Sequence, residues 1–331
     1  MSLAVPSFFH RAAVAAAVVL AGASAGAQTA PYPSRPITVV VPFSAGGSVD
    51  AAARLVFQKA GERMKQTFVI ENVAGAAGTI GTHRVVRAPA DGYTLLFAVA
   101  SPINVAPLVS PTLVKYDALR DLAPVSLVAT SPFVLVGNPK LKAANTAELL
   151  QLAKQQPGKL SYGTDGVGTS MHVTVELIKQ RAAIDVMHVP YRSGPQVLTE
   201  LSSGLLDLAV MPITLAQPFI KDGKVKAFGV TSKQRWPSLP DTPALAEVPA
   251  FKDLDVASWY GLFAPAQTDP AIIDRLSREL AAAIADPELR RRMEDAGLKP
   301  TSQNAPQFAE TLKKEREALA AVISAAGIKT E

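Results

Sequence analysis

Apolar positions along the chain follow two alternating rhythms. Ile37–Phe43 (ITVVVPF) is an unbroken β-branched run, the pattern of a strand buried on both faces. Directly after it, Val49, Ala53, Val56 and Ala60 recur at helical spacing and mark one apolar face. Thr67–Val73 predicts the next strand. AGAAGTIG (Ala74–Gly81) then leads into a short helix towards Arg87, and a turn at Asp91-Gly92 opens a third strand running to Ala100.

A long extended passage, Ala123–Pro139, separates this unit from a second with the same rhythm. The spacing there predicts a helix over Thr146–Gln155, a strand ending in SYGT, a helix from Thr169 and a strand over Val186–Tyr191. A helix over Pro195–Gly204, a strand over Leu205–Pro212, another helix and a strand over Val225–Ser232 follow. Leu254–Gln267 forms a second extended passage, after which only helices are expected, across Asp269–Leu298 and from a cap near Asn304. Strands alternating with helices of this length predict an α/β fold with a largely parallel sheet covered on both faces. Two such units joined by two extended passages predict two lobes with two hinge connections, the last helices returning to the first lobe. On this reading residues 28–130 and 255–331 form lobe 1, and residues 131–254 form lobe 2.

The first 27 residues change the picture of where the protein works. Arg11, the apolar run Ala12–Ala21 and the small residues Ala25–Ala27 have the order of a secretory signal, with cleavage expected after Ala27. That apolar run is shorter than the roughly 20 residues a membrane span needs. The absence of cysteine excludes disulfides, lipid attachment through a thiol, and thiol catalysis. Net charge is +5, and losing Arg11 with the signal makes it +4. The basic cluster at Arg290–Met293 (RRRM) sits in a helical pattern with acids nearby, which reads as solvated surface rather than a nucleic-acid footprint.

Two strand-to-helix turns share one design. In PFSAGGSVD the strand ends at Phe43, Gly46 and Gly47 remove side-chain bulk, and Ser48 stands at the helix start. In YGTDGVGTSMH the strand ends near Gly163, Gly166 and Gly168 open the turn, and Thr169 or Ser170 starts the next helix. The first amides of a helix are unsatisfied and carry partial positive charge, so an anion is stabilised there without a cationic side chain. Neither turn has the lysine of a phosphate-binding loop or the G-x-G-x-x-G spacing of a dinucleotide fold. A carboxylate or small inorganic anion fits better than a nucleotide, and the same residues would also serve as ordinary turns. Asp50, in the first helical turn, would accept from a ligand's ammonium or hydroxyl, or else tie the loop down.

Enzymatic signals are thin. His172 and Glu176 stand four apart on one helix face, but no third metal ligand and no H-E-x-x-H pattern accompany them. No G-x-S-x-G element is present. Neither a catalytic residue, a metal nor a cofactor is expected.

The motifs YPSRPITVVVPFSAGGSVDAAAR, AGAAGTIG, APADGYTLL, LAPVSLVA, PGKLSYGTDGVGTSMH, HVPY and LPDTPALAE occur in the order seen in the Bug-type receptors. The chain therefore resembles the TctC-like extracytoplasmic solute receptors of tripartite tricarboxylate transporters, over essentially all of its length after the signal. The resemblance implies a periplasmic binding protein of the two-lobe type II class. It would be a monomer that encloses a small carboxylate and hands it to integral-membrane permease subunits. It also implies a ligand-binding set: Phe43, Ser44, Ala45, Gly46, Gly47, Ser48 and Asp50 on the first loop, and Thr164, Gly166, Gly168, Thr169, Ser170 and His172 on the second. Ser101, Asn104, Tyr191 and Asp207 complete it. Two positions depart from the family pattern: SSGLLD (Ser202–Asp207) has Ser203 where a glycine is usual, and PYRS (Pro190–Ser193) replaces PYKG and puts Arg192 at the rim. A sensor with the same fold is the alternative reading, and a periplasmic hydrolase a more distant one.

Overall fold

The computed structural model describes residues 32–325 and 327–328; the expected signal and its cleavage point lie outside the described residues. Everything below refers to the unit that begins at Arg35. In that unit β1 (Ile37–Val41) lies between β2 (Phe68–Asn72) and β3 (Thr94–Ala98), parallel to both. Val39, Val40 and Val41 have no exposed surface, as the unbroken apolar run requires. Helix Ser48–Met64 turns Val49, Ala52, Ala53, Val56, Phe57 and Ala60 inward and ends at Lys65 in the left-handed conformation.

The second half repeats this plan. β5 (Ser161–Thr164) lies between β6 (Met187–Pro190) and β7 (Leu208–Pro212), again parallel to both. Thr169 caps helix Ser170–Ala182 by accepting from the His172 amide, and Ser193 caps helix Gly194–Ser203 through Gln196.

A 16-residue strand, β4 (Leu122–Gly137), ties the halves together. Its first part pairs antiparallel with β9 (Ala257–Pro265), and β9 pairs with β3. Its last part pairs antiparallel with β7 and with β8 (Lys226–Val230). The sheet order β2-β1-β3-β9-β4-β7-β5-β6 thus runs from one half into the other. Two apolar cores flank the joint. One gathers Val40, Leu96, Ile103, Phe263 and Phe308; the other gathers Leu135, Tyr162, Leu201, Val210 and Phe251. Phe308 and Leu312 of the last helix, Ala305–Ala325, belong to the first core.

Two expectations are corrected. The sheet is mixed rather than largely parallel, because the extended passages themselves pair antiparallel at its centre. The C-terminal part is not all helical: β10 (Lys299–Gln303) pairs antiparallel with β4. Its sequence KPTSQ shows no apolar alternation and carries a proline, the signature of an edge strand that pairs on one side only. Helices Pro270–Ile284 and Pro287–Asp295 are separate, each starting at an Asp-Pro step whose aspartate caps the helix.

Candidate functional site

A cavity of about 680 Å³ opens at the C-terminal ends of β1 and β5, where the two glycine-bearing turns meet. Parallel strands leave such a crevice beyond their carboxyl ends, where helix starts converge.

The first turn is wired internally. The Asp50 carboxylate, only 4% exposed, accepts from the Gly46 amide at 3.0 Å, from Arg54 Nε at 3.0 Å and from Asn72 Nδ2 at 3.1 Å. Burial pushes this carboxyl up, but the bonds from Arg54, Gly46 and Asn72 outweigh it and hold it below its ordinary value. Asn72 also donates to the Phe43 carbonyl. Gly46 has φ of +76°, where a side chain would be strained, and the Gly47 amide closes the turn on the Ser44 carbonyl at 3.2 Å. The helix starting at Ser48 has no side-chain cap. Ser48 and Val49 line the cavity at that uncapped start.

The second turn hangs on histidines. The Gly168 amide donates to His172 Nδ1 at 3.2 Å, and His188 Nε2 lies 2.7 Å from the Thr164 hydroxyl, which bonds the Gly166 carbonyl. The His172 and His188 rings stack 4.3 Å apart, with Tyr162 stacked on His188 at 4.8 Å. Burial pushes both imidazoles down, His188 to about 4, where the neighbouring His172 adds to the effect. Glu176 accepts from the Tyr162 hydroxyl and from Lys179.

One contact joins the two sides across the cavity. Ser101 Oγ accepts from the Ser170 amide at 3.0 Å and lies 3.1 Å from Ser170 Oγ. Of the expected ligand residues, Phe43, Ser44, Gly47, Ser48, Ser101, Gly166, Ser170 and Tyr191 line the cavity. The others stand behind or away from its wall. Ala45 and Gly46 belong to the turn's outer side, and Asp50, Thr164, Gly168, Thr169 and His172 hold the turns from behind through the bonds described. Asn104 has no exposed surface and donates to the Leu312 carbonyl and to Glu315, anchoring the last helix. Asp207 accepts from the Ser161 amide and hydroxyl at the start of β5, the strand end opposite the cavity.

The structure adds wall residues absent from that set. Ala74–Thr79 form a continuous stretch of the wall. Ala76 and Ala77 there have φ of +46° and +54°, a conformation that costs a non-glycine residue on the order of 1 kcal/mol each. The small-residue run AGAAG was the available signal. Asp165, Arg192 and Leu215 also line the cavity; of these only Arg192 carried a signal, through its place in PYRS.

The family model for the tripartite tricarboxylate transporter family receptor (TctC) matches residues 52–328. A protein of Pseudomonas sp. (strain P51), described as the UPF0065 protein in the tcbD-tcbE intergenic region, is 39% identical over 291 residues, 86% of this chain and 84% of its own. The solved structure of the periplasmic binding protein BugD superposes with a TM-score of 0.86 at 31% identity, covering 91% of this chain and all of that one. R. palustris Rpa4515, solved with adipate, superposes with a TM-score of 0.87 at 29% identity, covering 90% and 99%. A family match over most of the chain, and the same two-lobe α/β fold, make this protein a periplasmic solute-binding receptor of the Bug-type, TctC family.

Proposed function

We propose that the protein captures a small carboxylate in the cavity between its lobes and delivers it to the membrane permease of a tripartite transporter. The observation that carries this reading is the uncapped start of helix Ser48–Met64 in the cavity wall. Its first amides supply hydrogen-bond donors and the positive end of a helix dipole, in a wall with no lysine. Adipate in the Rpa4515 structure supports the ligand class. Gly47 precedes the helix and leaves the approach open; a side chain there would lie beside the Ser44 carbonyl, at the mouth of the anion position. The Ser101–Ser170 contact across the cavity belongs to lobe closure over the ligand.

We place the lobe boundaries at residues 28–130 with 255–331, and 131–254, supported by the two separate apolar cores. Export by cleavage near Ala27 belongs to the same reading. Among the described residues no helix is long and apolar enough to cross a membrane.

Thermal unfolding against a panel of carboxylates tests the proposal, using protein unfolded, dialysed and refolded to strip bound ligand. An acid at about 1,000 times its dissociation constant adds about 4 kcal/mol and raises the midpoint by several degrees. Gly47→Asp, which places a carboxylate where the ligand's would sit, removes the shift while keeping the ligand-free midpoint. A panel without a single shift, or an undiminished shift in Gly47→Asp, rejects the reading.

A further inference from the structure

One helix of the cavity wall also touches the other half of the molecule. Helix Ile213–Lys221 follows β7, and Leu215 near its start lines the cavity together with Pro212. Ile213 and Gln217, four residues apart, share a face that lies about 200° round the helix from Leu215. That second face meets the corner after helix Pro287–Asp295, which itself packs against helix Ser48–Met64 of the first half. Gln217 Nε2 donates to the Asp295 carbonyl at 3.2 Å. The Gly297 carbonyl takes two donors: Ser131 Oγ at 2.8 Å, from the crossing strand β4, and Trp236 Nε1 at 3.2 Å, from the loop after β8. Trp236 packs on the core of the second half. Gly297 has φ of +81°, and a Cβ there would stand 2.5 Å from Ile213 Cγ2. Only glycine lets the corner come this close.

The placement of these contacts decides what they do. None of Ile213, Gln217, Trp236 and Gly297 lines the cavity. They sit where the second half leans on the first, beside the crossing strands. The same structure holds the Ser101–Ser170 contact across the cavity, so both contacts belong to one arrangement of the halves. Halves joined by two strands can change their angle, and contacts made at one angle bias the equilibrium towards it. A ligand gripped from both walls binds only at the angle that brings the walls together. Its apparent dissociation constant therefore rises as the share of protein at that angle falls. The bonds from Gln217 and Trp236 are enough to move that share, because losing one neutral hydrogen bond shifts such an equilibrium about fivefold.

We propose that the corner at residues 295–297, seated on the face of helix Ile213–Lys221 turned away from the cavity, sets the affinity of the receptor. It fixes the angle between the halves and so scales the binding of every ligand by one factor, leaving the choice among ligands to the cavity wall. Gln217 and Trp236 are positioning residues in this scheme. The inference rests on the two-lobe receptor reading and adds a determinant outside its cavity.

Gln217→Ala and Trp236→Phe each remove one donor, and Gly297→Ala sets a methyl against Ile213. Refolded protein is titrated calorimetrically with succinate, adipate, glutamate and benzoate, and the acids that bind wild type are carried to the variants. Each single donor variant is expected to weaken all of those acids by one factor of about three to five, and the two together by about tenfold or more. The chain has no cysteine, so Ile80→Cys with Val167→Cys, exposed positions beside the cavity in the two halves, take a single pair of spin labels. In ligand-free protein the distance between the labels is expected to lengthen when both donors are removed. Ligand-free melting confirms folded protein, and the donor variants keep the test decisive if Gly297→Ala does not fold. Unchanged affinities in folded variants overturn the proposal, as does an unchanged label distance. A variant that alters the ratio between two acids also overturns it, since the corner would then be acting on the wall. Wild-type protein that binds none of the acids rejects the carboxylate reading instead; the label distance then decides, a longer one supporting the proposal and an unchanged one overturning it.

Discussion

The two glycine turns solve one geometric problem with different chemistry. Each ends a buried parallel strand, removes side-chain bulk and presents a helix start to the same cavity. The turn after β1 is fastened by a carboxylate: Asp50 takes three donors from Gly46, Arg54 and Asn72. The turn after β5 is fastened by neutral imidazole, with the Gly168 amide donating to an unprotonated His172 Nδ1. A carboxylate clamp fails only in strong acid, whereas an imidazole clamp loses its contribution progressively as pH falls below the ordinary histidine value, towards about 4 for His188. The two walls of one cavity should therefore come apart under different conditions.

Asp50→Ala gives the largest effect. It leaves Arg54, Asn72 and the Gly46 amide without their shared acceptor, at a cost of about 2–3 kcal/mol for bonds to a charged group. A urea midpoint shifted by less than about a quarter of that amount would mean that water replaces the carboxylate and that the turn does not depend on it.

Acid is next. His188 sits at about 4 in the folded protein against 6.5 for the free side chain, and His172 is shifted the same way. The unfolded chain thus holds more protons between these values, so stability is full above about 6.5 and falls as pH drops towards 4. After discounting for partial exposure the loss is on the order of 2 kcal/mol. Asp50, with a lowered value, keeps its contribution throughout that window and loses it only in stronger acid. Urea midpoints measured at pH 7 and pH 4.5 should differ, and His188→Gln should flatten the difference. Equal slopes for wild type and variant would exclude His188 as the source.

Ser101→Ala gives the smallest effect, about 1 kcal/mol for neutral hydrogen bonds, because the Ser170 amide loses its acceptor and the Ser170 hydroxyl its neighbour. Its sharper readout is the comparison itself. Without that bond, proteolysis should reach the segment around Val167, already 41% exposed, faster than the turn at Gly46. Unchanged cleavage would mean that Ser101 does not couple the walls.

Much of this was legible from local pattern. The run Ile37–Phe43 and the spacing of Val49, Ala53, Val56 and Ala60 specify a strand and a helix face without reference to the rest of the chain. Both glycine turns, and the helix start at Thr169–Ser170, announce themselves in the same way. What stayed hidden depends on distant partners. Asn104 follows β3 closely but spends its amide on Leu312 and Glu315 in the last helix, a pairing no local pattern records. Asp207 likewise serves Ser161 rather than the cavity. β10 is polar because only one edge pairs, so it carries no apolar rhythm to read. Asp165 lay in plain view within YGTDGVGTSMH, and only the folded structure shows that one of its carboxylate oxygens is closed off without a partner.

The pairing of β4 with β9 also has a consequence for how such chains can be recombined. The polypeptide leaves for the second half along one strand and returns along its immediate neighbour, with Pro132 directly opposite Ala257. Everything between those two residues is a cassette whose ends stand one strand spacing apart, about 4.8 Å. A cassette with adjacent ends can be cut out and replaced by its counterpart from a relative without stretching or rerouting the host chain. Exchange at this one doorway would transplant Asp165, Tyr191 and Arg192 together while the wall built by Ser44, Gly47, Ser48 and Val49 stayed in place.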